Sequence, residues 1–233
     1  MNEQYSRGEW LLGEGTTARL RQKHVAVFGL GGVGSYIVEA LARMGIGKLT
    51  LIDRDVYSLS NLNRQLFALR STLGQPKIRA AQERIADIDP SITVYTRSLF
   101  VLPENIREIS FADFDYVADA VDTVSAKIAI IEAAKAAGVP VISAMGAGNK
   151  LDPTAFRVAD IEKTRVCPLA RIVRNELRRR GIRGVKTVYS EEEAQKPRYT
   201  DPESGKPLPA SCSFVPSVMG LIMAGEIIKD LTK

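Results

Sequence analysis

Over the first two thirds of the chain, short continuous apolar runs alternate with longer stretches of three- to four-residue apolar period. Residues 24–28 and 48–52 are too short and too uniformly apolar for an amphipathic helix, and read as buried strands. Between them, 32–43 has helical spacing. A helix over 76–88, with proline in its first turn, is followed by a strand over 92–97, a short helix over 104–109 and a strand over 116–120. The Ala-rich stretch 124–137 predicts a helix closed by Gly138, with the next strand over 139–143. Strands alternating with helices imply a mainly parallel sheet joined by right-handed crossovers.

After Gly148 the pattern changes. A turn at Asp152-Pro153 leads into 156–161, then a basic helix over 168–180, a strand over 185–190 and a last helix over 215–231. That helix reads as core, with a dimer interface through Met219, Leu221, Ile222 and Met223 as the alternative. The segment 191–209 holds Pro197, Pro202, Pro207 and Pro209 among many charges, which predicts a mobile surface loop.

Composition narrows the class only moderately. At 233 residues, 45% hydrophobic and 25% charged, the chain is long enough for one domain with a real core. The start, MNEQYSRGEW, has no basic segment followed by an apolar run, and no stretch is long enough to span a bilayer. Two cysteines, Cys167 and Cys212, build neither a disulfide framework nor a four-thiolate zinc site, so a reducing cytoplasm is expected and no membrane partner. Cys167 reads as packing. Cys212 reads as a structural thiol, with a sulfur-relay role as the alternative, and His24 reads as structural. The net charge of +5 is compatible with a nucleic-acid partner without requiring one.

The chemistry begins at Gly29-Leu30-Gly31-Gly32-Val33-Gly34, which follows a strand and opens a helix. In this G-x-G-x-x-G pattern Gly29 permits the tight turn, Gly31 and Gly32 let backbone approach a phosphate, and Gly34 allows close helix packing. Asp53, ending the second strand, stands where a carboxylate bonds ribose hydroxyls. The fold expected is therefore α/β, Rossmann-like and doubly wound, with a smaller C-terminal α+β extension. Residues 1–150 form the nucleotide-binding core and 151–233 a substrate or dimer extension of one domain.

The glycine loop does not say which nucleotide is bound; the following segments do. Arg64 and Lys77 are spaced to bring positive charge from a loop and a helix start. Cleavage of ATP between its α and β phosphates develops charge that such cations stabilise, whereas hydride transfer has little use for them. Asp122, just past the strand 116–120, suits magnesium, which takes one or two carboxylates plus phosphate oxygens. ATP with magnesium is thus expected rather than NAD.

Four segments, G-L-G-G-V-G-S, D-R-D-x-x-x-x-S-N-L-N-R-Q, G-Q-P-K and A-V-D, resemble in order and spacing the ThiF/MoeB/HesA adenylyltransferases, bacterial relatives of ubiquitin-activating enzymes. The resemblance implies that Asp53 holds the ribose and that Asn61 and Gln65 lie near the phosphates. It further implies that Arg64 and Lys77 grip the triphosphate and Asp122 the magnesium. Arg7, in Tyr5-Ser6-Arg7, resembles the family's arginine finger, which implies a homodimer with sites shared between subunits.

Within that superfamily the chain lacks the paired C-x-x-C thiolates and the acceptor cysteine of the sulfur-carrier branch. The stretches Glu39–Gly47, Gly146-Ala147-Gly148 with Asp152-Pro153-Thr154, Lys163-Thr164 with Pro168-Leu169-Ala170, and Ala210-Ser211-Cys212-Ser213 resemble the tRNA threonylcarbamoyladenosine dehydratases. That resemblance implies a tRNA substrate whose threonine carboxylate is adenylated and then captured by the substrate's own urea-like group. Arg171, Arg174 and Arg178 share one face of the basic helix and form a candidate RNA-backbone row, with a solvated charged face as the alternative. Activation of a ubiquitin-like sulfur carrier stays open as the rival function, and a sulfurtransferase system as a further partner.

Overall fold

The computed structural model describes residues 3–202, 205 and 207–233. Two short helices, α1 (Ser6–Leu12) and α2 (Thr16–Arg21), precede β1 (His24–Phe28). Then come α3 (Gly34–Arg43), β2 (Lys48–Ile52), α4 (Lys77–Ile88), β3 (Thr93–Arg97), β4 (Tyr116–Asp119), α5 (Val124–Ala136) and β5 (Val141–Ala144). The C-terminal part adds β6 (Phe156–Asp160), α6 (Pro168–Arg179), β7 (Lys186–Ser190) and α7 (Phe214–Leu231). The seven strands form one sheet in the order β3-β2-β1-β4-β5-β7-β6, parallel throughout except that β6 runs antiparallel to β7.

The period-two alternation of the strands divides the core. Val25 and Val27 face α3, α4 and α7, while Ala26 and Phe28 face α5 and α6. The helices after β1 and β4 thus cover opposite faces, and the crevice between these two strands opens at their carboxyl ends. Register aligns those ends: Phe28 lies level with Ile52 on one side and Asp119 on the other, and Asp119 level with Ser143.

The sequence pattern missed α1 and α2, which are too short to show a periodic face. It also began α3 two residues early, at the glycine turn, and read a helix over 104–109 where only the 3-10 turn Ile106–Glu108 forms. In α7, Met219 and Met223 are fully buried and Leu221 is exposed. The proline-rich segment is anchored where it is described: Asn149 accepts from the Gln195 amide, and the Leu208 amide donates to the Tyr199 carbonyl. Glu203, Ser204 and Lys206 of the expected mobile loop lie outside the described residues.

Candidate active site

β1 runs directly into the glycine turn. Gly29 has φ +83, and a Cβ there would stand 2.8 Å from the Ala120 carbonyl oxygen; a Cβ on Gly34 would meet the Gly29 oxygen at 1.7 Å. Both positions therefore exclude any side chain. At Gly31 the nearest atom to an added Cβ is the Gln65 amide nitrogen at 3.9 Å, so open space lies above the turn. Helix α3 starts without a side-chain cap, leaving its dipole-positive first turn for an anion.

Loops after β1, β2, β4 and β5 enclose a cavity of about 550 Å³ at the carboxyl edge of the sheet, within the range of small-molecule sites. Gly29, Gly31, Gly32, Asp53, Asn61, Arg64, Gln65, Lys77 and Asp122 all line it. Asp53 is fixed by accepting from the Leu30 amide at 2.7 Å and the Asp55 amide at 2.8 Å. Asn61 accepts from the Ser58 amide, which closes the 3-10 turn Leu59–Asn61 and sets the stretch that carries Arg64 and Gln65. Arg64 donates through Nη1 to the Ser60 carbonyl and Asn63 Oδ1, which orients the guanidinium.

Lys77 is buried, with its Nζ 2.8 Å from the exposed Asp55 carboxylate, so it is not a freely solvated surface lysine. Asp122 lines the cavity and is exposed, and among the described residues its carboxylate meets only the Thr123 hydroxyl, at 3.4 Å. No cluster of three His, Cys, Asp or Glu residues exists among the described residues. One exposed carboxylate in the lining of this cavity fits magnesium that arrives with phosphates, not a cage built by protein alone.

Several lining residues carried no assigned role in the sequence reading. Arg54 lies over the Phe100 ring at 4.0 Å, and Leu99, Phe100 and Val101 make one apolar wall. A run of three apolar residues after a strand carries no signal of its own until the fold places it in the same cavity as the glycine turn. At the other end, Gly146, Ala147, Gly148, Leu169 and the segment 209–211 continue the cavity. Asn149 binds this segment twice at 2.7 Å, its amide donating to the Ala210 carbonyl and its side-chain oxygen accepting from the Ala210 amide. Asn63 donates to the Ser211 carbonyl from the nucleotide side.

Other expected residues lie apart. Arg7 sits on α1, beside Tyr5 and Thr17, in a separate groove away from the cavity. Its helix is nonetheless anchored: the Tyr5 hydroxyl donates to Asp89, which also pairs with Arg21. Burial opposes ionisation of Asp89, but donors from Tyr5, Ser91 and Arg21 outweigh it and hold the carboxyl below its ordinary range. Within the basic row, Arg174 donates to the Thr164 carbonyl and hydroxyl, Arg178 pairs with Glu162, and Arg171 alone is exposed without a bonded partner among the described residues. Cys167 is buried; Cys212 is half-buried near the Lys150 carbonyl and does not line the cavity. His24 Nε2 lies 2.8 Å from the Thr50 hydroxyl, and burial lowers its pKa from 6.5.

A parallel sheet with an uncapped glycine turn, a fixed acidic residue after β2 and cations facing the same cavity defines a nucleotide-binding α/β protein. The chain belongs to the ThiF family, whose sequence model matches residues 5–233. It is 43% identical over 244 aligned positions to the tRNA threonylcarbamoyladenosine dehydratase of Bacillus subtilis, covering 100% of this chain and 96% of that protein. The Escherichia coli protein of that name is 39% identical over 190 positions, covering 78% of this chain and 71% of the relative. The crystal structure of E. coli tRNA N6-threonylcarbamoyladenosine dehydratase, TcdA, in complex with ATP superposes with a TM-score of 0.89 at 33% identity, over 98% of this chain and 93% of that one. The molybdopterin-synthase adenylyltransferase of E. coli is 32% identical but matches only 64% of this chain.

Proposed function

We propose that this chain is an ATP-dependent tRNA threonylcarbamoyladenosine dehydratase. The observation that carries the reading is one cavity with two ends, within a chain similar to such enzymes from end to end. The glycine turn, Asp53, Arg64 and Lys77 form the nucleotide end. Residues 146–148 and 209–211 form the end that takes the modified base. The sulfur-carrier alternative rests on a relative that matches a smaller share of the chain, 64%.

In the reaction, a threonine carboxylate oxygen attacks the α phosphorus of ATP and pyrophosphate departs. The substrate's own urea-like group then attacks the activated carbonyl, and AMP leaves with the former carboxylate oxygen. The net change in the nucleoside is loss of one water, and no protein nucleophile is consumed. Arg64 and Lys77 stabilise charge on the phosphates, while Asn61 and Gln65 orient them; the protein's contribution is positioning and electrostatics. Magnesium, held by Asp122, would add charge neutralisation.

Charge bookkeeping supports a shared site. Arg54, Arg64 and Lys77 line the cavity together with Asp53, Asp55 and Asp122, so one chain presents no net positive charge to a triphosphate. Magnesium and Arg7 from a second copy supply the balance, which makes the working unit a homodimer. Arg171 extends the site toward the tRNA backbone. A tRNA substrate points to the cytoplasm, and no helix among the described residues is long and apolar enough to cross a membrane.

The decisive experiment incubates the protein with ATP, magnesium and tRNA carrying threonylcarbamoyladenosine, then measures AMP and the mass of the nucleoside. AMP release with a nucleoside lighter by one water is expected. An unchanged nucleoside, with AMP formed instead on a Gly-Gly-tailed carrier protein, would favour the sulfur-carrier reading.

A further inference from the structure

Beneath the cavity, a charged group is buried completely. Lys127 on α5 and Asp119 at the end of β4 are both 0% exposed, with Nζ 2.9 Å from Asp119 Oδ2. The Ser143 hydroxyl donates to the same oxygen at 2.5 Å, and the Val121 amide donates to Oδ1 at 3.2 Å. None of the three side chains lines the cavity.

We propose that Asp119 and Lys127 are positioning residues that set the 120–123 loop for nucleotide binding. Ala120, Val121, Asp122 and Thr123 all line the cavity, so the loop is one of its walls. It is held at three points. The Ala120 amide donates to the Phe28 carbonyl at 2.8 Å, the Val121 amide to Asp119, and the Lys127 amide to the Thr123 carbonyl at 3.0 Å. The first bond presses the loop against the glycine turn, where the Ala120 carbonyl leaves no room for a Cβ on Gly29. The second ties the Asp119 carboxylate to the loop's middle, and the third is the backbone bond with which α5, the helix that carries Lys127, begins at the loop's end.

Stability is a poor reason for such a pair. A buried ion pair is often matched or exceeded in stability by apolar residues of similar volume, and the α5 neighbours Ala126, Ile128, Ala129, Ile130 and Ile131 are all apolar and buried. What an apolar pair cannot do is accept a directional bond from the Val121 amide or from Ser143. The pair therefore exchanges generic packing for a defined backbone path between β4 and Asp122.

This inference rests on the cavity's being the ATP site, and its test uses binding without tRNA. Two double variants avoid leaving one charge buried alone: Asp119→Leu with Lys127→Met, and Asp119→Asn with Lys127→Met. Calorimetric ATP affinity is measured beside melting temperature. The Leu/Met variant is expected to bind ATP roughly three- to tenfold more weakly, the worth of one directional bond. The Asn/Met variant, which keeps an acceptor for the Val121 amide, should recover most of that loss. Wild-type affinity in a folded Leu/Met variant overturns the proposal, as does an equal loss in both. Hydrogen exchange on the wild-type protein decides the matter if neither variant folds: the Val121 amide should be protected relative to Asp122 and Thr123, and equal exchange overturns the proposal. Wild type that binds no ATP would instead remove the functional reading, while Val121 protection still judges the loop.

Discussion

Lys77 Nζ and the Asp55 carboxylate meet at 2.8 Å, the lysine side chain 7% exposed and the aspartate 56%. Asp55 neutralises a buried cation that the phosphates of ATP would otherwise engage. Lys77→Ala, like Arg64→Ala, is expected to lower AMP formation by about 10²–10³-fold with the fold intact. Asp55→Asn leaves the ammonium buried and unpaired, which lowers resting stability. ATP should then raise the melting temperature of Asp55→Asn more than that of wild type. Equal shifts would mean that Asp55 and the nucleotide do not share Lys77.

The glycines separate folding from binding. Gly34→Ala places a Cβ 1.7 Å from the Gly29 oxygen and should lose stability severely. Gly31→Ala meets nothing closer than 3.9 Å, so its melting temperature should match wild type while ATP affinity falls, because the methyl group enters the space over the turn. Unchanged ATP affinity in Gly31→Ala would place the phosphates elsewhere.

Arg7 is remote from the cavity of its own chain, so its role is tested between chains. Arg7→Ala and Asp122→Ala subunits should each be inactive alone. Mixed dimers of the two contain one site with both residues intact, and should regain a fraction of wild-type AMP formation. Verified mixed dimers without recovery would confine Arg7 to a structural role on α1.

The basic row divides by partner. Arg171→Glu should weaken tRNA binding, with the loss greatest at low salt, and leave the melting temperature unchanged. Arg174→Ala strips donors from the Thr164 carbonyl and hydroxyl, so it should lower the melting temperature as well. If filter-binding titrations show equal tRNA affinity for wild type and Arg171→Glu, the helix is only a solvated face.

Asp230 ties α7 to the sheet by accepting from Lys186 at 2.5 Å and from the buried Tyr116 hydroxyl at 2.8 Å. Burial opposes its ionisation, but donors from Lys186, Lys233 and Tyr116 prevail and lower its pKa from 3.8 to about 2. A depressed carboxylate stabilises the fold above its unfolded pKa, and that stability is lost as pH falls through the folded value. Asp230→Asn should therefore melt a few degrees lower than wild type at neutral pH. The gap should close as pH drops from about 4 to about 2; thermal scans showing a constant gap would refute the linkage.

Whatever depends on neighbours within a few positions was legible in the sequence. The glycine turn between β1 and α3, Asp53 at the end of β2 and the Arg64 and Lys77 cations are local spacings, and all of them line one cavity. The alternation that buries Val25 and Val27 on one face and Ala26 and Phe28 on the other is equally local. Only the tertiary structure decided which distant groups meet. Parallel register brings Asp119 level with Phe28 and so carries Asp122 to the glycine turn. Packing of α5 on the sheet buries Lys127 against Asp119, although a lysine in an Ala-rich helix reads as a surface residue. The arginine row looked uniform because helical periodicity fixes only the face. Its partners, Thr164 for Arg174 and Glu162 for Arg178, come from a turn that the chain folds back beside α6. Periodicity sets the direction of a side chain, whereas its electrostatic partner depends on where other elements pack, and no short-range pattern encodes that.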